Sequence, residues 1–387
     1  SGLKVTADRI DSTDLNAGSA GGFIGYGAAV QVSHSSVDQL VNTKVTEPAD
    51  LEGTDGSSYF DRSQSDYAVS ALRYAGGYIG YMDIGDTAGA VDGLSVLKGT
   101  GLEINLSNVL SALNVVASMI EYSDVYGAAG GYAVLASGDD AQTGTIGHAG
   151  GYAGLIAGGH TQNSNAYNFS HIIGQVCAGG YVGELEPGSV AKVLDNTDVG
   201  KGGLLEGLID ANGLVSLVNA FVPSVRNSVT TSIPCGGVVR AQAASGEESA
   251  SDNETIATQR GMAGGFVGHN EGGQIEGNNK DTWKDTNGDY SLDEYVGPIQ
   301  PVEAIRIRSV YGAEYAGGST GLMESASTAE AGSLSLLWGL VKADNLLGAL
   351  KAIYPTEDNT AVWGPLRKLT VEEWNNWVDF VGVYGGY

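Results

Sequence analysis

A six-residue phrase recurs along this chain: Ala-Gly-Gly, an aromatic residue, a small or apolar residue, and a third Gly. It stands at residues 20–25, 75–80, 149–154, 178–183 and 263–268. Weaker copies begin at Gly130, Gly236 and Gly317, and Gly385-Gly386-Tyr387 is a truncated one. The first glycines are 55, 54, 20, 29, 57, 28, 53 and 68 residues apart. Three gaps fall between 20 and 29, and most of the others are about twice that. A period of roughly 20–30 residues marks a stacked repeat protein. The longer gaps then hold two turns, or one turn with an insertion.

The phrase has a physical logic. Its glycines tolerate positive φ and carry no Cβ, so the chain can corner sharply and stacked neighbours can approach closely. A third glycine is expected to end the short strand that follows. Such a strand cannot bury its apolar side alone and needs a copy above and below. The expected fold is mainly β: an elongated parallel β-solenoid, right-handed by the usual crossover preference. Glycine turns in an ordinary β-sandwich are the alternative, but a sandwich has no reason to repeat the same six residues.

The phrase resembles the GLUG motif, a glycine-rich repeat of large bacterial surface proteins and adhesins that also occurs beside some secreted peptidases. The segment that carries the likeness best is Gly264-Gly265-Phe266-Val267-Gly268-His269-Asn270-Glu271-Gly272-Gly273-Gln274-Ile275-Glu276-Gly277. The resemblance covers the repeat cores, about a third of the chain, and implies a repeat architecture at an extracellular bacterial surface or cell wall. It implies nothing about the insertions or about an activity.

Composition narrows the function classes. A net charge of −26 leaves too few clustered cations for phosphate contact, so nucleic acid is not an expected partner. No apolar run is long enough to span a membrane. The 60 glycines lack a Gly-X-Y period, which excludes collagen, and 42% hydrophobic content argues against disorder. The start at Ser1-Gly2-Leu3 and the end within a repeat are read as the marks of a piece of a larger protein. Cys177 and Cys235 each stand just before a glycine core. If those cores stack on neighbouring turns ~4.8 Å apart, the sulfurs fall within reach of a disulfide; otherwise they are two buried thiols.

Between the cores the chain changes character. Residues 31–67 are polar and acidic and read as an extended loop or insertion, after which 68–72 is a short strand. Leu106, Val109, Leu110, Leu113, Val116 and Ile120 recur at helical spacing, predicting a helical insertion at about 94–121. Comparable leucine-rich insertions are expected at 202–222 and 333–353, following the cores at Gly179 and Gly317 as the first follows Gly76. Together they form a super-repeat. Packing, rather than a lipid or partner groove, is the expected use of their leucines. Residues 356–380, with Trp363, Trp374, Trp377 and Phe380, are expected to be an aromatic helical segment.

One segment looks chemical. Asp285, Asn287, Asp289, Ser291 and Asp293 place oxygen donors at alternate positions of a loop within an insertion at about 278–300, the spacing of calcium loops. It resembles the loops of EF-hands, dockerins and thrombospondin type-3 repeats. It departs from the EF-hand in having Gly288 at the fourth position and Val296 at the twelfth; Glu294 is a substitute ligand. Calcium is therefore the expected cofactor, in an ordering role. The alternative is an acidic solvated turn.

Catalysis has little support. His34, His148, His160, His171 and His269 stand in no recognised catalytic motif, and no glycine core is followed by the Lys-Ser/Thr of a phosphate loop. A ladder of threonines, as an ice-binding face would need, is absent. The expected role is a non-catalytic adhesin module, a monomer contacting a host or microbial surface glycan or protein. The runner-up is a secreted β-helix lyase or hydrolase acting on polysaccharide. An enzyme would gather carboxylates and a base at one place; an adhesin would spread aromatic and polar residues along a face.

Overall fold

The computed structural model describes residues 3–8, 16–41, 67–84, 117–128, 130–138, 147–188, 222–233, 236–241, 261–277, 302–326, 354–358, 360–364 and 382–385. Among them every regular element is a strand, and every strand pairing is parallel. The chain visits four sheets in a fixed cyclic order, adding one level to each on every circuit. The protein is thus mainly β, with parallel strands in stacked sheets, in keeping with a β-solenoid.

Among the described residues, sheet 1 has twelve strands and takes two short strands from most circuits. Sheet 2 has six: Ser19–Gly21, Tyr74–Gly76, His148–Gly150, Cys177–Gly179, Met262–Gly264 and Tyr315–Gly317. Sheet 3 holds Ile24–Ala28, Ile79–Asp83, Ala153–Ala157, Val182–Glu186, Val267–Glu271 and Thr320–Glu324. Sheet 4 holds Gln31–Ser33, Met119–Glu121, His160–Gln162, Ser224–Arg226, Gln274–Glu276 and Thr356–Asp358.

The repeated phrase is the corner between sheets 2 and 3. Gly21, Gly76, Gly150, Gly179, Gly264 and Gly317 are direct ladder partners. The copies at Gly130, Gly236 and Gly385 do not belong to this column, because the strands beside them lie in sheet 1. From Gly150 to Gly179 the chain returns to the column after 29 residues; every longer interval in the column is one circuit with insertions. The glycines are needed for close approach rather than for positive φ. A Cβ on Gly150 would meet Ala153 O at 1.8 Å, and one on Gly151 would meet Gly180 O at 2.1 Å. The third glycine does not end the following strand but lies inside it, where a Cβ on Gly80 would strike the backbone of Gly25 and Ala20.

The aromatic residue of the phrase points inward. Phe23, Tyr78, Tyr152, Tyr181 and Phe266 stack one per level, with ring centroids 5.1, 4.9, 4.8 and 4.9 Å apart. That separation follows the strand spacing of the ladder itself. Apolar columns fill the rest of the interior, such as Val69, Val134, Ile172, Val239 and Val310 from sheet 1. At the first described level Phe23 is half exposed, whereas Tyr78 on the next level is fully buried.

Several boundaries differ from the sequence reading. Residues 31–41 are not loop: Gln31–Ser33 and Ser36–Leu40 are strands whose Val37 and Leu40 are buried beneath polar outward neighbours. Ile120 ends no helix; it lies in the strand Met119–Glu121, fully buried in the core. Trp363 lies in the strand Thr360–Trp363 rather than in a helical segment. The rest of the three predicted helical insertions, and residues 365–380, lie outside the described residues. Their points of departure are described. Sheet 3 connects to sheet 4 through two residues on the first, third and fifth circuits. The leucine-rich segments occupy that same connection on the second, fourth and sixth.

Candidate functional site

The outside of the corner between sheets 2 and 3 is built by positions that flank the phrase. The residue before Ala-Gly-Gly is Ser19, Tyr74, His148, Cys177, Met262 or Tyr315, in one ladder column. The residue after the third Gly is Tyr26, Tyr81, Leu155, Glu184, His269 or Leu322, in a second column. At the first levels this face is aromatic and apolar: Tyr74, Tyr81, Leu155 and Ala157 form their own cluster outside the main core. At the next levels it becomes ionisable.

Glu184 is the centre of that change. One carboxylate oxygen, Oε2, touches His148 Nδ1 from the level before. The other, Oε1, lies 2.7 Å from Nδ1 of His269 on the level after. His269 Nε2 continues to Glu324 Oε1 at 3.1 Å. Burial works to raise the Glu184 carboxyl, but the two imidazoles outweigh it and hold it well below the usual carboxylate range. Burial pulls the His269 imidazole down, yet its hydrogen bond to Glu184 and the charges of Glu184, Glu271 and Glu324 bring it above the ordinary value. Cys177 adjoins this group, fully buried, its thiol pushed up by burial and by Glu184 and Glu186.

A second outward feature lies where sheet 4 passes into sheet 1. His34, Tyr122, Asn163 and Asn227 turn this corner with φ near +50°. Each is followed by serine, and Ser123, Ser164 and Ser228 return their hydroxyls to the carbonyl two residues back. Beside this corner the rings face outward. His34 stacks on Tyr122 with centroids 5.1 Å apart, and Tyr126 stacks on Tyr167 at 5.0 Å. Tyr122 and Tyr126 are exposed. Asp124 binds both ways, its Oδ2 accepting from the Tyr126 hydroxyl at 2.9 Å and its Oδ1 from Asn165 Nδ2 at 2.9 Å.

Most of the site residues expected from the sequence fall outside the described part of the chain. Asp285, Asn287, Asp289, Ser291, Asp293 and Glu294 lie outside the described residues, as does Cys235. Cys177 is a free thiol. The expectation of a bridge placed both cysteines on one column, but the ladder neighbours of Cys177 are His148 and Met262. The strand after Gly236 belongs to sheet 1. Along the sequence the histidines stand in no catalytic motif, whereas in the fold two of them share one carboxylate. No family model, no curated protein and no solved structure matches this chain.

Proposed function

We propose that this chain is a non-catalytic module of a bacterial cell-surface adhesin, an extracellular stalk or ligand-binding region that meets a host or microbial glycan or protein. The observation that carries this reading is the exposed aromatic row at the passage from sheet 4 to sheet 1. Flat rings that are already stacked and tethered lose little freedom on binding. Neighbouring carboxylate and amide groups supply the directional hydrogen bonds a sugar needs. The acidic surface suits a solvated extracellular stalk. A right-handed solenoid, acting as a monomer and carrying helical insertions, belongs to the same proposal. The leucine-rich segments leave from one connection every second circuit, about 10 Å apart, which is the width of one helix. Calcium bound by the loop at 285–294 would order its insertion.

The runner-up, a secreted polysaccharide-degrading β-helix enzyme, is favoured by a different observation. Glu184, Glu186, Glu271 and Glu324 share one face with His148 and His269. Against it, Glu184 is occupied by two imidazoles rather than facing a partner carboxylate across a substrate.

The test is binding of labelled protein to an array of glycans and matrix proteins, with calcium and with chelator, followed by analysis of the arrayed ligand. Saturable binding of an intact ligand, weakened at least about tenfold in Tyr126→Ala, supports the adhesin reading; a tenfold loss corresponds to 1.4 kcal/mol, the scale of one stacked ring. Cleavage of an arrayed glycan selects the enzyme. Binding unchanged in both Tyr122→Ala and Tyr126→Ala removes the aromatic row from the argument.

A further inference from the structure

The donor atoms around Glu184 suit more than an ion pair. An imidazole nitrogen of His148, Cys177 Sγ and a Glu184 carboxylate oxygen all lie within 4.8 Å of one another. The fold brings them there by two routes. His148 and Cys177 are ladder partners on adjacent levels. Glu184 belongs to the same circuit as Cys177, and the glycine corner folds it back beside the thiol. Cys177 is fully buried, and the side chains of His148 and Glu184 are only 12% and 10% exposed. His148 Nδ1 is itself buried and touches Glu184, yet makes no aligned hydrogen bond.

The chemistry of this set selects the ligand. Calcium and magnesium take oxygen donors, whereas an imidazole, a thiolate and a carboxylate together are the ligands of a zinc-class ion. Charge agrees. A divalent ion with one thiolate, one carboxylate and a neutral imidazole has no net charge, so it can stay buried without an unpaired ion. We propose that His148, Cys177 and Glu184 bind one zinc-class transition-metal ion, with a water in the fourth position. On binding, the Cys177 S–H bond breaks and its proton leaves to solvent, any proton on the ligating nitrogen of His148 passes through solvent to the other ring nitrogen or away, and the bonds from the metal to sulfur, nitrogen and oxygen form; no electron moves.

The surroundings fit this role. Glu184 would ligate through Oε2 while Oε1 stays on His269 Nδ1 at 2.7 Å, and His269 is anchored in turn by Glu324. A ligand held this way from its far side is typical of metal sites. The ring of Tyr74 meets His148 edge-on, with centroids 5.5 Å apart, and limits rotation of the imidazole. The proposal stands independently of the adhesin reading, because neither the aromatic row nor the calcium loop contributes a donor.

The experiment titrates Co²⁺ into the full chain after it has been reduced and stripped of metal, recording the near-ultraviolet thiolate-to-cobalt charge-transfer band and the visible bands. Zn²⁺ is then added as competitor and bound metal is counted. One Co²⁺ per chain with a thiolate band, displaced by Zn²⁺, is expected. Cys235→Ser should retain the band, and Cys177→Ser should lose it and weaken binding more than about 100-fold. His269→Gln, which acts through Glu184, should keep the band and weaken binding about 10- to 100-fold. Far-UV circular dichroism checks that each variant folds. If Cys177→Ser does not fold, the spectrum of Cys235→Ser decides, since Cys177 is then the sole thiol. Absence of a thiolate band in the wild type overturns the proposal. So does a band that survives Cys177→Ser and vanishes in Cys235→Ser. The calcium loop cannot mimic either outcome, because it holds no sulfur.

Discussion

Truncating Tyr181 to alanine should expose how the levels of this protein are held together. Its ring is fully buried between Tyr152, with centroids 4.8 Å apart, and Phe266 at 4.9 Å, and its hydroxyl donates to Ser164 O at 2.8 Å. Removing a buried aromatic side chain costs about 3–5 kcal/mol, and Tyr181 loses two stacking partners and a hydrogen bond, so about 4 kcal/mol is expected. Tyr181→Phe removes only the hydrogen bond and should cost about 1 kcal/mol. Phe23→Ala acts at the first described level of the same stack, on a half-exposed ring stacked on Tyr78, and should cost about 1–2 kcal/mol. Urea unfolding followed by far-UV circular dichroism measures all three. A stack of levels is nearly one-dimensional, so a weak middle lets the two halves unfold separately. Tyr181→Ala should therefore also flatten the slope of the transition, which Phe23→Ala should not. Equal midpoint shifts for the two alanine variants, or a cost below about 1 kcal/mol for Tyr181→Ala, would refute the idea that the interior stack couples the levels.

Four further outcomes are expected. Gly150→Ala places a methyl 1.8 Å from Ala153 O and 2.7 Å from Tyr181 O, both backbone atoms that cannot step aside; it should cost at least about 3 kcal/mol in a urea melt. Gly130→Ala meets nothing within 4 Å and should stay within about 0.5 kcal/mol of wild type. His171 is buried and held neutral, with burial first and the Arg308 charge second pulling its imidazole from 6.5 down to about 4. The unfolded chain then binds the extra proton below pH 6.5, so this contribution is whole above that pH and is lost as pH falls towards 4. It amounts to about 3 kcal/mol, and His171→Leu should remove that part of the acid sensitivity in melts at pH 7, 5 and 4. Calcium at 100 times its dissociation constant should stabilise the protein by about 2.7 kcal/mol, read as a rise in Tm. Asp285→Asn with Asp289→Asn should abolish that rise, and an unchanged response in the double variant would refute the loop as the site.

How much of this was legible follows from which residues repeat. Ala-Gly-Gly-aromatic repeats because it serves two demands that recur at every level: backbones in contact at the glycines and a ring in the interior stack. Its period therefore announced parallel stacking. The other corner repeats too, as His34-Ser35-Ser36, Tyr122-Ser123-Asp124, Asn163-Ser164-Asn165 and Asn227-Ser228-Val229, but its demand is looser. A positive φ is met by asparagine and tolerated in His or Tyr, so only the serine stays constant and the signal is faint. Strands near it, such as Ser36–Leu40, bury just two side chains among polar neighbours and read as loop. Ile120 fell at helical spacing because an insertion rich in leucine runs straight into a strand with no punctuation between them.

The ionisable cluster was hidden for a different reason. Its members occupy framework positions whose identity the fold leaves free: the residue before Ala-Gly-Gly and the residue after the third Gly lie outside the main core cluster at every level. Stacking places no constraint on them, so they vary, from Tyr74 through His148 to Cys177 and from Tyr81 through Leu155 to Glu184 and His269. Along the chain His148 and His269 are separated by a little more than two circuits, and no local motif could join them. Written as one column per repeat position, however, His148, Cys177, Glu184 and His269 fall in two adjacent columns on three consecutive levels. In a stacked protein the columns that do not repeat are where individual chemistry can be installed without disturbing the frame. The test of the cysteine and histidine variants is therefore also a test of that division. If the cluster were part of the frame, Cys177→Ser and His269→Gln would lower stability as the Tyr181 variant does; if it is an installed site, they should change metal binding and leave the urea midpoint nearly where it was.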